Sequence, residues 1–232
     1  MSGPSIRIYA AYGIDSSGDV DGHASCWPDA ALLPSVSSDD KRVPLELFVM
    51  ARCPDALRCE AVFDSVLSRV GNITSTRLTY IARLVKSHDE QQQENEPVCM
   101  HGPFECAAAR QQLCVAHHYP QLSTWYRFVR CQNRQFAGIG QSWLAELCAT
   151  QVGLRYAGPL RDCAEGEQGR ALLLASVKRS IAMDVRTSCT VQIDHKSRCV
   201  HDGGWRDCPA GHSVQDFVRD LCRAYLRARG LV

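Results

Sequence analysis

Two cysteines, Cys53 and Cys59, stand between an apolar segment and a helical pattern, a position suited to a reactive thiol. Residues 43–50 have the length and apolar content of a strand that is buried on both faces. From Cys59 to Val70, apolar residues recur at helical spacing. A thiol at a helix N-terminus lies near unsatisfied amides and the positive end of the helix dipole, and both favour the thiolate. The pair could therefore carry out thiol–disulfide exchange, or it could be a structural disulfide or two buried thiols.

The elements that must position these cysteines follow the order βαβ, a helical block, then ββα. The patterns predict strands at 43–50, 77–85, 189–194 and 197–200. They predict helices at about 59–70, 105–118, 125–131, 141–152, 165–184 and 213–229. Because a helix connects the first two strands, we expect those strands to be parallel. This order is that of an α/β, thioredoxin-like fold with a large helical insertion. We predict a loosely ordered N-terminal extension at 1–42 and one domain at 43–232, with the insertion at about 88–185.

Composition limits the classes of protein to which the chain could belong and indicates its compartment. The chain has 232 residues, a net charge of +1, 45% hydrophobic and 22% charged residues, as in soluble globular proteins. Nothing in this charge favours nucleic acid or a membrane surface, and no apolar run approaches the ~20 residues of a membrane span. Thirteen scattered cysteines favour an oxidising compartment, and the sequon at Asn72 is consistent with glycosylation there. The opening residues lack the apolar core of a secretory signal, so we expect that a signal was removed before this numbering begins.

A cysteine-rich motif resembles the signature of the gamma-interferon-inducible lysosomal thiol reductase (GILT) family, which is written CQHGxxECxxNxxxxC. The motif residues that match are Cys99, His101, Gly102, Glu105, Cys106 and Cys114. Met100 and Ala109 replace the family's Gln and Asn. Residues 162–169, DCAEGEQG, are similar to the family's ECAxGxxG segment, and Cys222 is placed like a cysteine of its last helix. The resemblance covers residues 43–230.

The resemblance implies an enzyme that reduces disulfide bonds of protein substrates in a secretory, extracellular, lysosome-like or vacuole-like lumen. It implies that Cys53 is the nucleophile and that Cys59 resolves the mixed disulfide. The family's active site is a CxxC pair, whereas five residues separate the two cysteines here. Ser188 and Cys189 stand where thioredoxin-like proteins usually place a cis-proline facing the active cysteines. An external small-molecule thiol would supply the electrons, and neither a cofactor nor a metal is implied.

Other interpretations of the cysteines remain open. The set Cys99, His101, Cys106 and Cys114 could hold zinc, but its cysteine spacing departs from the two to four residues between paired ligands in common zinc sites. A non-catalytic secreted binding or structural domain, stapled by disulfides, would contain no easily reduced pair at 53 and 59. An oxidase or isomerase would use the same fold, because the direction of exchange depends on reduction potential. For His101 and Glu105, packing or helix capping is favoured over catalysis.

The remaining cysteines allow two predictions of pairing. Cys199 and Cys208 flank a Gly-Gly turn and are expected to pair with each other across a short loop. Because thirteen is an odd number, at least one cysteine must be left over or pair between chains. We expect that cysteine to be Cys26, in the N-terminal extension.

The spacing of Cys53 and Cys59 also predicts local structure. Six helical steps rise about 9 Å, whereas a disulfide needs Cα atoms within ~7 Å. If the two cysteines pair directly, the residues between them cannot form a regular helix. We therefore predict an irregular loop or a distorted turn from Pro54 to about Leu57, with continuous helix from near Arg58.

Overall fold

The computed structural model describes Cys26 and residues 42–86 and 95–231 of the chain. Its strands are β1 (Val43–Val49), β2 (Thr74–Tyr80), β3 (Arg83–Lys86), β4 (Asn95–Val98), β5 (Thr190–Ile193), β6 (Lys196–His201) and β7 (Trp205–Arg206). Its helices are α1 (Pro54–Val70), α2 (Pro103–His118), α3 (Leu122–Asn133), α4 (Ser142–Gln151), α5 (Pro159–Glu165), α6 (Glu167–Ala182) and α7 (Val214–Ala228). Within this described part, no helix has the length and apolar character needed to cross a bilayer.

The central sheet has the order β2-β1-β5-β6-β7, with β1 inside it. The predicted parallel pairing of β1 with β2 is confirmed, and β5 pairs with β1 in the antiparallel sense. Leu45, Leu47 and Phe48 of β1 are fully buried, as expected for a strand that is covered on both faces.

One predicted strand is divided in the structure. The segment 77–85 was expected to be a single strand, but β2 ends at Tyr80. Ile81 still donates its N–H to the oxygen of Val49, at 2.8 Å, and the chain then leaves the central sheet. Arg83–Lys86 instead pairs with β4 in a separate two-stranded sheet. Its residues are mostly exposed, so burial does not hold this segment against β1.

The predicted helix at 165–184 is confirmed as α6, and a short helix that was not predicted, α5, precedes it, with Gly166 between the two. A Cβ at Gly166 would lie 2.4 Å from the main-chain oxygen of Asp162, and a Cβ at Gly169 would lie 2.4 Å from that of Cys163. Both distances are far inside van der Waals contact with backbone atoms that cannot rotate away. The glycines of the 162–169 segment therefore permit the close approach of α5 to α6.

Six disulfides link the elements of the fold. They are Cys26–Cys222, Cys59–Cys189, Cys99–Cys106, Cys114–Cys163, Cys131–Cys148 and Cys199–Cys208. The predicted Cys199–Cys208 pair is confirmed. The prediction that Cys26 is left over is wrong, because Cys26 is bonded to Cys222 of α7 and the free thiol is Cys53. Residues 1–25 and 27–41 lie outside the described residues, so the loosely ordered extension stays a prediction.

Candidate active site

Cys53 lies immediately before α1, at the end where the central strand β1 gives way to the helix. It is the N-cap residue of α1, and its N–H donates to the oxygen of Met50 at 2.9 Å. The thiol faces the main-chain oxygen of Ser188, with 4.0 Å between Sγ and O. Its relative exposure is 9%, at the edge between buried and accessible. A free thiol at a helix N-terminus, close to the surface, has the surroundings of a reactive cysteine.

The predicted irregular loop after Cys53 is wrong, because α1 is continuous from Pro54. Proline suits the first position of a helix, where its missing N–H costs no hydrogen bond. The N–H of Leu57 donates to the oxygen of Cys53 at 3.2 Å, closing the first turn. The loop was required only if Cys53 pairs directly with Cys59. Cys59 is instead fully buried and bonded to Cys189.

Ser188 and Cys189 lie against the active thiol, on the segment that leads into β5. The hydroxyl of Ser188 accepts a hydrogen bond from the N–H of Met50 at 2.9 Å, which fixes this segment to the end of β1. The peptide bond between Ser188 and Cys189 is cis, although neither residue is proline. Cys189 exchanges both main-chain hydrogen bonds with His201 of β6, at 3.0 and 2.9 Å. The structure thus brings Cys53, Cys189 and Cys59 to one place.

The buried carboxylate of Glu105 connects the family-like motif to the active-site turn. Its Oε1 accepts from the N–H of Arg52 at 3.0 Å and lies 2.7 Å from Nδ1 of His101. Its Oε2 accepts from the N–H of His101, also at 3.0 Å. Since Glu105 is only 1% exposed, these contacts replace its hydration. Glu105 therefore holds the residue that precedes Cys53, a positioning role that the spacing alone did not indicate.

The other motif residues build the support for Glu105. Cys99 and Cys106 are bonded and close a loop around it, while Gly102 at the start of α2 has φ +85°, a conformation that favours glycine. Cys114 is bonded to Cys163, so α2 is also fixed to α5. These bonds occupy the sulfur atoms that the zinc interpretation would need as thiolates.

A second contact near the thiol, between Asp55 and His201, is partly buried and was not found from the sequence. Oδ1 of Asp55 lies 2.8 Å from Nδ1 of His201 and accepts from the N–H of Gly203 at 3.0 Å. The contact fixes the first turn of α1 to β6, whose His201 is also hydrogen-bonded to the main chain of Cys189. The acidic residue two positions after a reactive cysteine was the only signal in the sequence, and its partner is 146 residues away.

Large apolar side chains are exposed beside Arg52. Phe104 is 48% and Phe136 45% exposed, and the guanidinium carbon of Arg52 lies 5.9 and 5.6 Å from their ring centres. Met100 is exposed on the neighbouring turn. We call these four residues the Arg52 surface. Because Arg52 precedes Cys53, an apolar polypeptide bound to this surface would lie near the thiol.

Glu60 is a buried acid on α1, directly after Cys59. Asn133 donates a short hydrogen bond to its Oε2, and the hydroxyl of Tyr126 donates to its main-chain oxygen at 2.8 Å. Burial raises the pKa of Glu60 to about 7 from an ordinary 4.5, although Asn133 and the charge of Arg130 act in the opposite direction. Glu60 is therefore protonated in the folded protein over a pH range in which it ionises in the unfolded chain.

This pKa shift predicts a pH-dependent stability. Between pH 4.5 and about 7, folding takes up a proton at Glu60. The stabilisation of the folded state that comes from this proton is therefore complete below pH 4.5 and is lost as the pH rises to about 7. The loss is on the order of 3 kcal/mol. The Glu60→Gln variant keeps an oxygen for Asn133 but cannot ionise, so it should unfold at higher denaturant concentration than the wild type at pH 8. Denaturant titrations at pH 5 and pH 8 measure this, with exposed Glu96→Gln as the control, and parallel pH profiles for all three proteins would contradict it.

Asn72, the predicted glycosylation site, lies in the turn after α1 and is exposed. Thr74, which completes the sequon, is buried and donates its hydroxyl to the oxygen of Gly71 at 3.0 Å. The position of Asn72 is accessible, and its modification stays a prediction.

Comparison with known proteins finds a family match over part of the chain. Residues 44–152 match the family described as "Gamma interferon inducible lysosomal thiol reductase (GILT)". The "Gamma-interferon-responsive lysosomal thiol protein" of Arabidopsis thaliana is 21% identical over 190 residues, which are 82% of this chain and 74% of that protein. A GILT-like protein of Caenorhabditis elegans is 23% identical over 190 residues, 78% of this chain. This chain spans 57% of the length of that nematode protein.

Comparison with solved structures identifies the fold. A putative protein disulfide isomerase from Nitrosomonas europaea has a TM-score of 0.55 at 11% identity, covering 80% of this chain and 98% of its own. Oxidised BdbD from Bacillus subtilis has a TM-score of 0.53 at 13% identity, covering 82% and 90%. These likenesses confirm the predicted thioredoxin-like α/β fold, and the family match supports thiol–disulfide oxidoreductase as the class of activity. Residues 44–152, just under half of the chain, therefore match the GILT family, and the chain has a thioredoxin-like fold.

Proposed function

We propose that this protein reduces disulfide bonds of protein substrates, with Cys53 as the attacking thiol. The observation that carries the proposal is the state of the cysteines. Twelve of the thirteen are paired in six disulfides, and the free one, Cys53, is the N-cap of α1. If the cysteines served only as structural disulfides, there would be no reason for a single free thiol at this position.

The chemistry follows from the position of Cys53. Its thiolate attacks one sulfur of a substrate disulfide, a mixed disulfide forms, and the other substrate sulfur leaves as a thiolate that takes up a proton. The first N–H groups of α1 have no intrahelical partners and stabilise negative charge at the N-terminus. Glu105, through the N–H of Arg52, holds the turn that presents the thiol.

The Arg52 surface supports a polypeptide substrate. Neighbouring exposed apolar side chains beside a charged residue are typical of a surface that binds protein. Partly unfolded proteins offer both the apolar residues that would contact Phe104 and Phe136 and the disulfides that Cys53 would reach. A small disulfide would leave these side chains without a partner.

The proposed location is an oxidising lumen, of the secretory pathway or of a lysosome- or vacuole-like compartment. Six disulfides in one chain favour such a compartment over a reducing cytosol. The names of the family and of the Arabidopsis relative, both of which include the word lysosomal, support the lysosomal alternative. Electrons would come from a low-molecular-weight thiol, and glycosylation at the exposed Asn72 would be compatible with the same route.

The test is insulin reduction with glutathione as electron donor, measured from pH 4.5 to 7.5. The Cys53→Ser variant should lose at least about a hundredfold in rate, because a hydroxyl does not replace a thiolate in disulfide exchange. The matched control is the double variant Cys199→Ser, Cys208→Ser, which removes a staple but keeps the thiol, and it should retain activity. Full activity in Cys53→Ser would reject the proposal, as would net oxidation of reduced insulin by the wild type.

A further inference from the structure

We infer that Cys189 is a redox residue that resolves the mixed disulfide formed on Cys53 and then passes the disulfide to Cys59. The inference rests on the proposed function, since it assigns the steps that follow attack by Cys53. It changes the predicted role of Cys59, which completes the exchange rather than attacking the mixed disulfide itself.

The helix geometry separates Cys53 from Cys59. Because α1 is regular from Pro54, six steps place the two cysteines about 9 Å apart along the axis, beyond the ~7 Å that a disulfide spans. The position where a CxxC pair would carry its second cysteine is Ala56, which is fully buried. No residue of α1 can therefore resolve a mixed disulfide on Cys53 while the helix stays intact.

Cys189 is bonded to Cys59 and directly follows a residue that contacts the Cys53 thiol. Its Cα is 6.3 Å from that of Cys59, to which it is bonded. The residue directly before it, Ser188, contacts the Cys53 thiol through its main-chain oxygen. Its own main chain is fixed to His201, which Asp55 ties to the first turn of α1. Cys189 is thus bonded to the second turn of α1 and is adjacent, through Ser188, to the N-cap thiol.

The attack on the substrate is followed by two exchanges within the protein, and the three steps balance. In the fully reduced protein, Cys53 attacks the substrate disulfide, and the first substrate thiolate leaves. The Cys189 thiolate then attacks Sγ of Cys53, forming Cys53–Cys189 and releasing the second substrate thiolate. Finally the Cys59 thiolate attacks Sγ of Cys189, forming Cys59–Cys189 and restoring the Cys53 thiolate. The substrate gains two electrons and two protons, and the Cys59 and Cys189 thiols lose them.

The structure corresponds to the state after the last of these exchange steps, with Cys59–Cys189 bonded and Cys53 free. Both bonded cysteines are fully buried, so an external thiol cannot attack them directly. Two molecules of a low-molecular-weight thiol such as glutathione would reset the protein by the reverse route, entering at Cys53. Cys53 would then be the only path by which electrons reach this buried disulfide.

That path gives a test on the intact protein. Wild type and Cys53→Ser are incubated with glutathione, quenched with an alkylating reagent at intervals, and mapped by mass spectrometry. Cys59–Cys189 should open at least about tenfold faster in the wild type than in Cys53→Ser, because only the wild type has the entry thiol. The Cys131–Cys148 bond, also buried, is the internal reference and should open at one rate in both proteins. Equal opening of Cys59–Cys189 in the two proteins would overturn the relay.

A second measurement traps the intermediate. After one turnover on insulin without excess thiol, Cys59→Ser should contain a Cys53–Cys189 bond, because the final acceptor is missing. Cys189→Ser should contain Cys53 bonded to insulin. If Cys53→Ser is inactive but Cys59→Ser and Cys189→Ser reduce insulin at the wild-type rate with no trapped bond, Cys53 keeps its role and the relay fails. If wild type reduces no insulin, the proposed function itself fails.

Discussion

Replacing Glu105 with glutamine should lower both the stability of the protein and its rate of disulfide reduction. Both carboxylate oxygens accept hydrogen bonds from main-chain N–H groups, those of Arg52 and His101. An amide offers one oxygen and one NH2, so one of the two N–H groups would face a donor in a site that is 1% exposed. A buried N–H group without an acceptor, together with the loss of a charged acceptor, lowers the unfolding free energy by roughly 2–4 kcal/mol.

The loss of activity should exceed what unfolding explains, because Arg52 immediately precedes the nucleophile. We expect about a tenfold or greater fall in the rate of insulin reduction at a temperature where the variant is still folded. Glu96→Gln, an exposed acid on β4, is the matched control and should change neither quantity. Denaturant unfolding and initial rates are measured on the same samples. If Glu105→Gln unfolded earlier but reduced insulin at the wild-type rate, Glu105 would be a structural residue only.

The central elements were predictable because local patterns determine them. The apolar run of β1 and the helical spacing that follows it place Cys53 at a strand–helix junction, whatever the rest of the chain does. The Cys199–Cys208 pair was predictable for a similar reason, since nine residues of separation and a Gly-Gly turn bring the two together. The thioredoxin-like order of strands and helices followed from the same short-range signals.

The rest depends on contacts between residues far apart in sequence. Cys59 and Cys189 are separated by 130 positions and Cys26 and Cys222 by 196, and no spacing rule selects such partners. The start of α1 shows how one assumption misleads. Pro54 alone indicates a helix start, but the assumed direct pairing of Cys53 with Cys59 required a loop there. The position of Glu105 beneath Arg52 is likewise a contact across 53 residues.

Gly140→Ala should destabilise the fold strongly, because Gly140 combines a left-handed φ with close contact to main-chain atoms. Gly140 has φ +90°, which costs an alanine about 1–2 kcal/mol. Its added Cβ would also lie 1.9 Å from the main-chain oxygen of Phe104 and 2.7 Å from the carbonyl carbon. Neither is a side-chain atom that could rotate, so the turn or the start of α2 must move.

Gly153→Ala separates the two effects. Gly153 also has a left-handed φ, +76°, but a Cβ there meets nothing within 4 Å. It should therefore lose only about 1–2 kcal/mol, whereas Gly140→Ala should lose about 3 kcal/mol or more, because the clash adds to the strain. The clash also moves the residue before Glu105, so insulin reduction should fall in Gly140→Ala and stay unchanged in Gly153→Ala. Equal losses of unfolding free energy in the two variants would show that the turn at Gly140 moves away from Phe104 at little cost, and that the first turn of α2 does not depend on it.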